Sequence, residues 1–167
     1  MKELISKIEQ WAEDRNLIRG CTPLDQAMKL FSEFGELTDA VAKDDPKEIK
    51  DSIGDVFVVM TIMCRQIGKT IPLDYGKMCW SWCNKRLLLE LSKCLYDFSD
   101  YASCDKKWLN EDAIDSGLRA LEFLAEEYDL TLQECVEHAY NEIKDRKGIM
   151  YNGTFIKESD ARYKELT

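Results

Sequence analysis

In "KLFSEFGELTDA", residues 29–40, Leu30, Phe31, Phe34 and Leu37 recur at helical spacing, with Glu33 and Glu36 set among them. A few residues later "DDPKEIKDSIGDVFVVM", 44–60, places Asp51 and Asp55 at the head of a nearly unbroken apolar run. Asp45 as N-cap, Pro46 at the first helical position and Glu48 three after the cap predict a helix start there. At about 100° per residue, Gln26, Lys29, Glu33 and Glu36 fall in one wedge of roughly 80°. An apolar wedge of Ala27, Phe31, Phe34 and Val41 lies beside it. On the next helix Glu48, Asp51 and Asp55 share a face that carries Val59 and Ile62 one turn later, so it points inward. Two antiparallel neighbours of this kind bring several acids together at the edge of a core.

Carboxylates so close do not all ionise unless a cation joins them. With oxygen donors and no histidine in the pattern, that cation is Mg²⁺ or Mn²⁺, and Mg²⁺ on carboxylates is normally shared with phosphates. The plainer alternative stands beside this one. Charged helix faces are usually solvated, Glu48 is explained by capping, and Asp51 suits a helix N-terminus.

The rest of the chain is helical in pattern. The periodicity predicts helices over 2–16, from Pro23 to Lys43, and from Pro46 to about Ile67 with a stop at Gly68. It predicts another over 72–104 broken near Asn84, one opening at Asn110, and one capped by Thr131 with Glu134 and stopping at Gly148. "MYNGTFIK" then reads as a short hairpin turning at Asn152-Gly153. The expected architecture is all-α, a bundle of about six helices in a single domain spanning 1–167. Shifted by 61 residues, "KDSIGDVFVVM" falls on "EDAIDSGLRAL", with Asp51 on Asp112, Ile53 on Ile114 and Met60 on Leu121. Cys94 then stands at the position of Glu33 and Ser116 at that of Asp55. Residues 74–128 are therefore either an insertion or a degenerate repeat of an intact helix pair.

The 167 residues are 45% hydrophobic and 33% charged, as in a globular protein with a real core. A net charge of −9 argues against a long nucleic acid as partner but leaves room for a small phosphorylated ligand. No apolar run approaches the length of a membrane span. The N-terminal "MKELISKIEQW" is amphipathic rather than a signal peptide. The seven cysteines form no CxxC pair, and Cys79 and Cys83 lie far in sequence from the lone His138. Free thiols in a reducing cytoplasm are expected, rather than a zinc site or a catalytic cysteine.

The acids, with the order in which they come, resemble the all-α MazG-like nucleoside triphosphate pyrophosphohydrolases, which include dimeric dUTPases and dCTP pyrophosphatases. Glu33-Phe34-Gly35-Glu36 is similar to the family's ExxE. "IGDVFVV" is similar to its "GD" and apolar run, and "QAMKLFSEFGEL" to its preceding helix. "AYNEIKDRKGIMYNGTF" is similar to the tail of short phage and Gram-positive members. The resemblance covers about 23–70 and 130–158. One departure matters. The family acid three residues before the Asp is Ser52 here, and Asp51, also on that helix face, is its substitute.

The resemblance implies Mg²⁺-dependent (or Mn²⁺-dependent) hydrolysis of a nucleoside or deoxynucleoside triphosphate to monophosphate and pyrophosphate. It implies metal ligands Glu33, Glu36, Asp51 and Asp55, with Glu33 or Glu36 as the catalytic acid-base group. Gln26, Lys29, Asn141, Lys144, Arg146 and Lys147 are the implied substrate-binding set. Lys29 has an ion pair with Glu33 as its alternative role, and the Lys144–Lys147 cluster also suits a helix C-terminus. Any of Trp11, Trp80, Trp82 and Trp108 is a candidate for stacking a base, though helical tryptophans are more often core. His138, beside the stripe of Leu132, Cys135, Val136, Ala139, Tyr140 and Ile143, reads as structural. The family implies a homo-dimer or tetramer, unless the internal echo supplies a pseudo-dimer in one chain. Localisation is cytoplasmic, in the host if the protein is phage-encoded. Two other readings remain: a nucleotide-sequestering protein without turnover, and a helical interaction module.

Overall fold

The computed structural model describes residues 1–76, 83–104 and 112–166. Its helices are α1 (Lys2–Asp14), α2 (Pro23–Lys43), α3 (Pro46–Gln66), α4 (Asn84–Ser103), α5 (Asp112–Glu126), α6 (Leu132–Ile143) and a last turn α7 (Tyr163–Leu166). A two-stranded antiparallel hairpin, β1 (Gly148–Tyr151) and β2 (Thr154–Lys157), lies between α6 and α7. The fold is the all-α bundle that the periodicity predicts, and no described helix is long and apolar enough to cross a membrane.

Local chemistry sets most boundaries. Thr22 and Asp25 cap α2 reciprocally, the Thr22 amide donating to Asp25 Oδ2 at 2.8 Å and the Asp25 amide to Thr22 Oγ1 at 3.2 Å. The Thr131–Glu134 pair does the same for α6. Asp45 opens α3 by accepting from the amides of Lys47 and Glu48. Between α2 and α3 the chain reverses at Asp44, whose φ of 53° is left-handed. The hairpin turns on Asn152 and Gly153 with φ of 47° and 75°, a pair of left-handed residues suited to a tight two-residue turn.

α3 is the central element and packs against α1, α2, α5 and α6. Nearly all of it from Ile49 to Cys64 is buried. Its approach to α6 depends on Gly54. A Cβ there would collide with the Cys135 carbonyl oxygen and stand 2.7 Å from Ala139 Cβ. Glycine at 54 and alanine at 139 thus let the two backbones touch, and they bring the end of α6 level with Asp55.

Several expectations are corrected. On α2 the buried stripe is Ala27, Leu30, Leu37, Ala40 and Val41, whereas Phe31 and Phe34 are only half-buried. The inner face is rotated from the one expected, and Glu33 falls inside it. Residues 71–76 are not helical, and α4 begins at Asn84, where a break was expected. Asn110 lies outside the described residues. α1 ends at Asp14 rather than 16. α6 ends at Ile143 rather than near Gly148, because α1 caps it from a distance. Trp11 Nε1 donates to the Ile143 carbonyl at 2.9 Å, and the Arg15 guanidinium donates to the carbonyls of Arg146 at 2.7 Å and Lys144 at 3.1 Å. These tertiary bonds satisfy the open carbonyls of a helix end. The hairpin is fixed on the same loop, with the Met150 amide donating to the Arg15 carbonyl at 2.7 Å and the Gly153 amide to the Gly20 carbonyl at 3.1 Å.

Candidate active site

A cavity of about 480 Å³ opens where the end of α1, the first half of α2, the middle of α3, the residues after α6 and the hairpin meet. Its two sides differ. Gln26, Lys29, Glu33, Asp55, Arg146 and Lys157 make one side polar. Trp11, Leu17, Val59, Ile62, Met150 and Phe155 make the other apolar. Met150 and Phe155 are cross-strand partners and therefore share a face of the hairpin.

Glu33 is only 4% exposed, and Lys29 meets it in an i,i+4 ion pair. Asp55 has no such partner. Burial, with the charges of Glu33 and Asp51 added, pushes its carboxyl up to about 7, against a weaker pull down from Lys29 and Arg146. The Arg146 and Lys157 side chains carry no ion pair among the described residues, so two cationic heads remain free at this mouth. A smaller cavity of about 230 Å³ shares Asp55, Ile143 and Arg146 with the first. There Asp51 Oδ1 lies 3.4 Å from Nε2 of His138, the residue expected to be purely structural.

The implied site residues therefore divide. Gln26, Lys29, Glu33, Asp55 and Arg146 line the main cavity. Asp51 lines the adjoining one. Glu36 is exposed and lines neither, because it falls outside the buried stripe of α2. Lys144 donates to Asn141 Oδ1 at 2.9 Å, and both line a separate cleft against α1. Lys147 lies 3.4 Å from Glu158. Ser52 is buried at 6% exposure, so the missing family acid leaves an inward position with a hydroxyl. Trp80, Trp82, Trp108 and Cys79 lie outside the described residues. The six described cysteines are all free thiols.

Sequence reasoning offered Trp11 only as one of four tryptophans that could stack a base, and it missed Phe155 and Lys157 as cavity residues. The alternation of MYNGTFIK about its turn was a usable signal, since it puts Met150 and Phe155 on one face. Nothing local pointed to where that face docks.

Among the described residues no group of three or more His, Cys, Asp or Glu side chains stands together as a metal cluster. The carboxylates at the main cavity are Glu33 and Asp55, with oxygen donors only and too little positive charge beside Asp55. That chemistry fits a hard divalent cation held by one or two carboxylates, its remaining positions filled by phosphate oxygens and water.

The chain is similar to the "Uncharacterized 18.2 kDa protein in rep-hol intergenic region" of Haemophilus phage HP1 (strain HP1c1), with 59% identity over 66 residues, 40% of this chain and 40% of the relative. It thus spans well under half the length of the curated relative it matches. No solved structure matches it. Residues 22–86 match the family described as the MazG nucleotide pyrophosphohydrolase domain. The resemblance read from the acids is thus matched by the family model over α2, α3 and the start of α4.

Proposed function

We propose that the protein is a divalent-metal-dependent nucleoside triphosphate pyrophosphohydrolase, cutting between the α and β phosphates to give monophosphate and pyrophosphate. The observation that carries this reading is the two-sided main cavity. It joins buried Glu33 and half-buried Asp55 to the cations Arg146 and Lys157 on one side, with an apolar wall of Trp11, Met150 and Phe155 on the other. Anionic phosphates suit the first side, and the flat faces of a base suit the second.

Glu33 and Asp55 would hold Mg²⁺ or Mn²⁺, and Asp51 would flank them. When bound, the ion supplies charge neutralisation on the phosphates. Arg146 and Lys157 orient the phosphate chain, and Lys29 shares its charge between Glu33 and the substrate. Glu33, within the cavity, is better placed than Glu36 to orient the attacking water and take its proton. Glu36 keeps a rim role. Asn141, Lys144 and Lys147 act outside this cavity, so the substrate set is Gln26, Lys29, Arg146 and Lys157.

Purified protein is incubated with a panel of NTPs and dNTPs in Mg²⁺, Mn²⁺ or EDTA, and products are resolved by anion exchange. Monophosphate and pyrophosphate, lost in EDTA and in Glu33→Gln, are expected. Intact triphosphates throughout would overturn the reading. Ser52, a neutral residue at the family acid's position, favours a second reading in which the same cavity binds nucleotide without cutting it. Saturable binding with no product would select that one.

A further inference from the structure

The α4–α5 hairpin reproduces the α2–α3 hairpin in detail. α4 begins at Asn84, 61 residues after Pro23 opens α2. α5 ends at Glu126, one residue short of the same offset from Gln66 at the end of α3. Both second helices close in the same way. Gly68 and Asp129, again 61 apart, are left-handed with φ of 73° and 56°. The Lys69 amide donates to the Cys64 carbonyl at 2.9 Å, and the Leu130 amide to the Ala125 carbonyl at 3.0 Å. The next buried residues, Ile71 and Leu132, keep the offset. The packing is reciprocal as well. α2 lies on α4 and α3 on α5. α6, which follows the second hairpin, covers α3, while residues 71–76, which follow the first, reach α5 through Tyr75.

The chemistry is what differs. At the offset, Cys94 replaces Glu33, Ser116 replaces Asp55 and Arg119 replaces Val58. Cys94 packs beside the residue after Ser116, since a Cβ on Gly117 would stand 3.7 Å from Cys94 Cβ, and the Arg119 charge is felt at Cys94. The Arg119 guanidinium enters this place. It donates to Ser116 Oγ at 3.0 Å and to the Tyr75 carbonyl, and its Nε is buried with no partner among the described residues. A half-buried cation whose acceptors among the described residues are all neutral is costly. It makes sense where carboxylates once stood.

We infer that α4, α5 and residues 71–76 are a decayed second copy of the candidate site, in which the Arg119 guanidinium occupies the cation position and closes it to ligands. The chain then holds one ligand site and one internally filled counterpart, with stoichiometry of one ligand per chain. The inference takes the cation role of the first site from the proposed function. Its test is read without turnover, so failure of hydrolysis by the wild type would remove that reading and leave the comparison below intact.

Three variants are compared by thermal melting without metal and by Mn²⁺ electron paramagnetic resonance. Ser116→Asp gives Arg119 a carboxylate and should raise Tm by about 3 °C. Cys94→Glu/Ser116→Asp should melt at or above the wild type, with no added Mn²⁺ bound. Adding Arg119→Val, the residue type at position 58, should lower Tm by about 10 °C, and Mn²⁺ should restore it while one more ion binds per chain. The inference is overturned if Ser116→Asp lowers Tm, if removing Arg119 leaves the double variant's Tm unchanged, or if the triple variant binds no additional Mn²⁺. Should the triple variant not fold, the sign of the Ser116→Asp shift decides alone.

Discussion

The α2–α3 and α4–α5 hairpins are built alike and filled differently. Each puts large apolar residues against the other, with Leu30 and Leu91 fully buried at matching places, and each second helix ends on a left-handed residue. One buries a carboxylate on its first helix and a second carboxylate opposite it. The other puts a thiol and a hydroxyl there and adds an arginine. The bundle therefore does not need the acids. They are held in place by packing that the second pair achieves without them, which supports the proposal that they serve chemistry rather than stability.

The largest expected contrast is in activity. Glu33→Gln and Asp55→Asn should each lower turnover by about 100-fold or more, with the helical circular dichroism spectrum unchanged. Cys94→Ser at the matching place should leave turnover within about twofold. Equal losses in both hairpins would erase the distinction. Next is a contrast in packing between two buried glycines. Gly54→Ala puts a methyl into the Cys135 carbonyl and should cost about 3 kcal/mol by urea unfolding. Gly117→Ala, whose Cβ would meet Met60 Cε at an accommodating 3.4 Å, should cost less than about 1 kcal/mol.

The third contrast is in pH. Asp55 titrates near 7 folded and near 3.8 unfolded, so between those values the folded state binds more protons. Stability from this group is therefore lost as pH rises through that window. Asp55→Asn should gain about 2 kcal/mol relative to the wild type on going from pH 5 to pH 8 without metal, and saturating Mg²⁺ should shrink that gain. A pH-independent difference would mean that Asp55 is not held near neutral. The smallest contrast is on α2 itself. Gly35, between the two glutamates, has nothing within 4 Å of where a Cβ would be. Gly35→Ala should stabilise by about 0.5 kcal/mol in a thermal melt through helix propensity.

The elements whose boundaries are set by neighbouring side chains were legible in the sequence. Asp45-Pro46 opening α3, Thr131 with Glu134 opening α6, and Asn152-Gly153 turning the hairpin all formed as read. What failed was set from a distance. α6 stops at Ile143 because Trp11 and Arg15 donate to the carbonyls at and just beyond its end, and no residue near 143 announces them. The stripe on α2 was misjudged by the aromatic size of Phe31 and Phe34, when contact with α3 and α4 favoured Leu30 and Leu37. Of the implied site residues, the spacing correctly grouped Gln26, Lys29 and Glu33. It could not show that Glu36 lies outside the buried stripe, or that the hairpin would bring Phe155 and Lys157 to the same cavity.

The bond from the Trp11 indole to the Ile143 carbonyl joins residues 132 apart in sequence. Contacts of that separation form late, because the chain between them must be ordered first. α2 and α3 can pair as soon as both exist, but the cavity waits for the first helix to meet residues beyond 143. During synthesis the acids are therefore made early and the pocket around them last. The stretch 22–86, though it carries the whole family match, lacks the wall that makes a site of it.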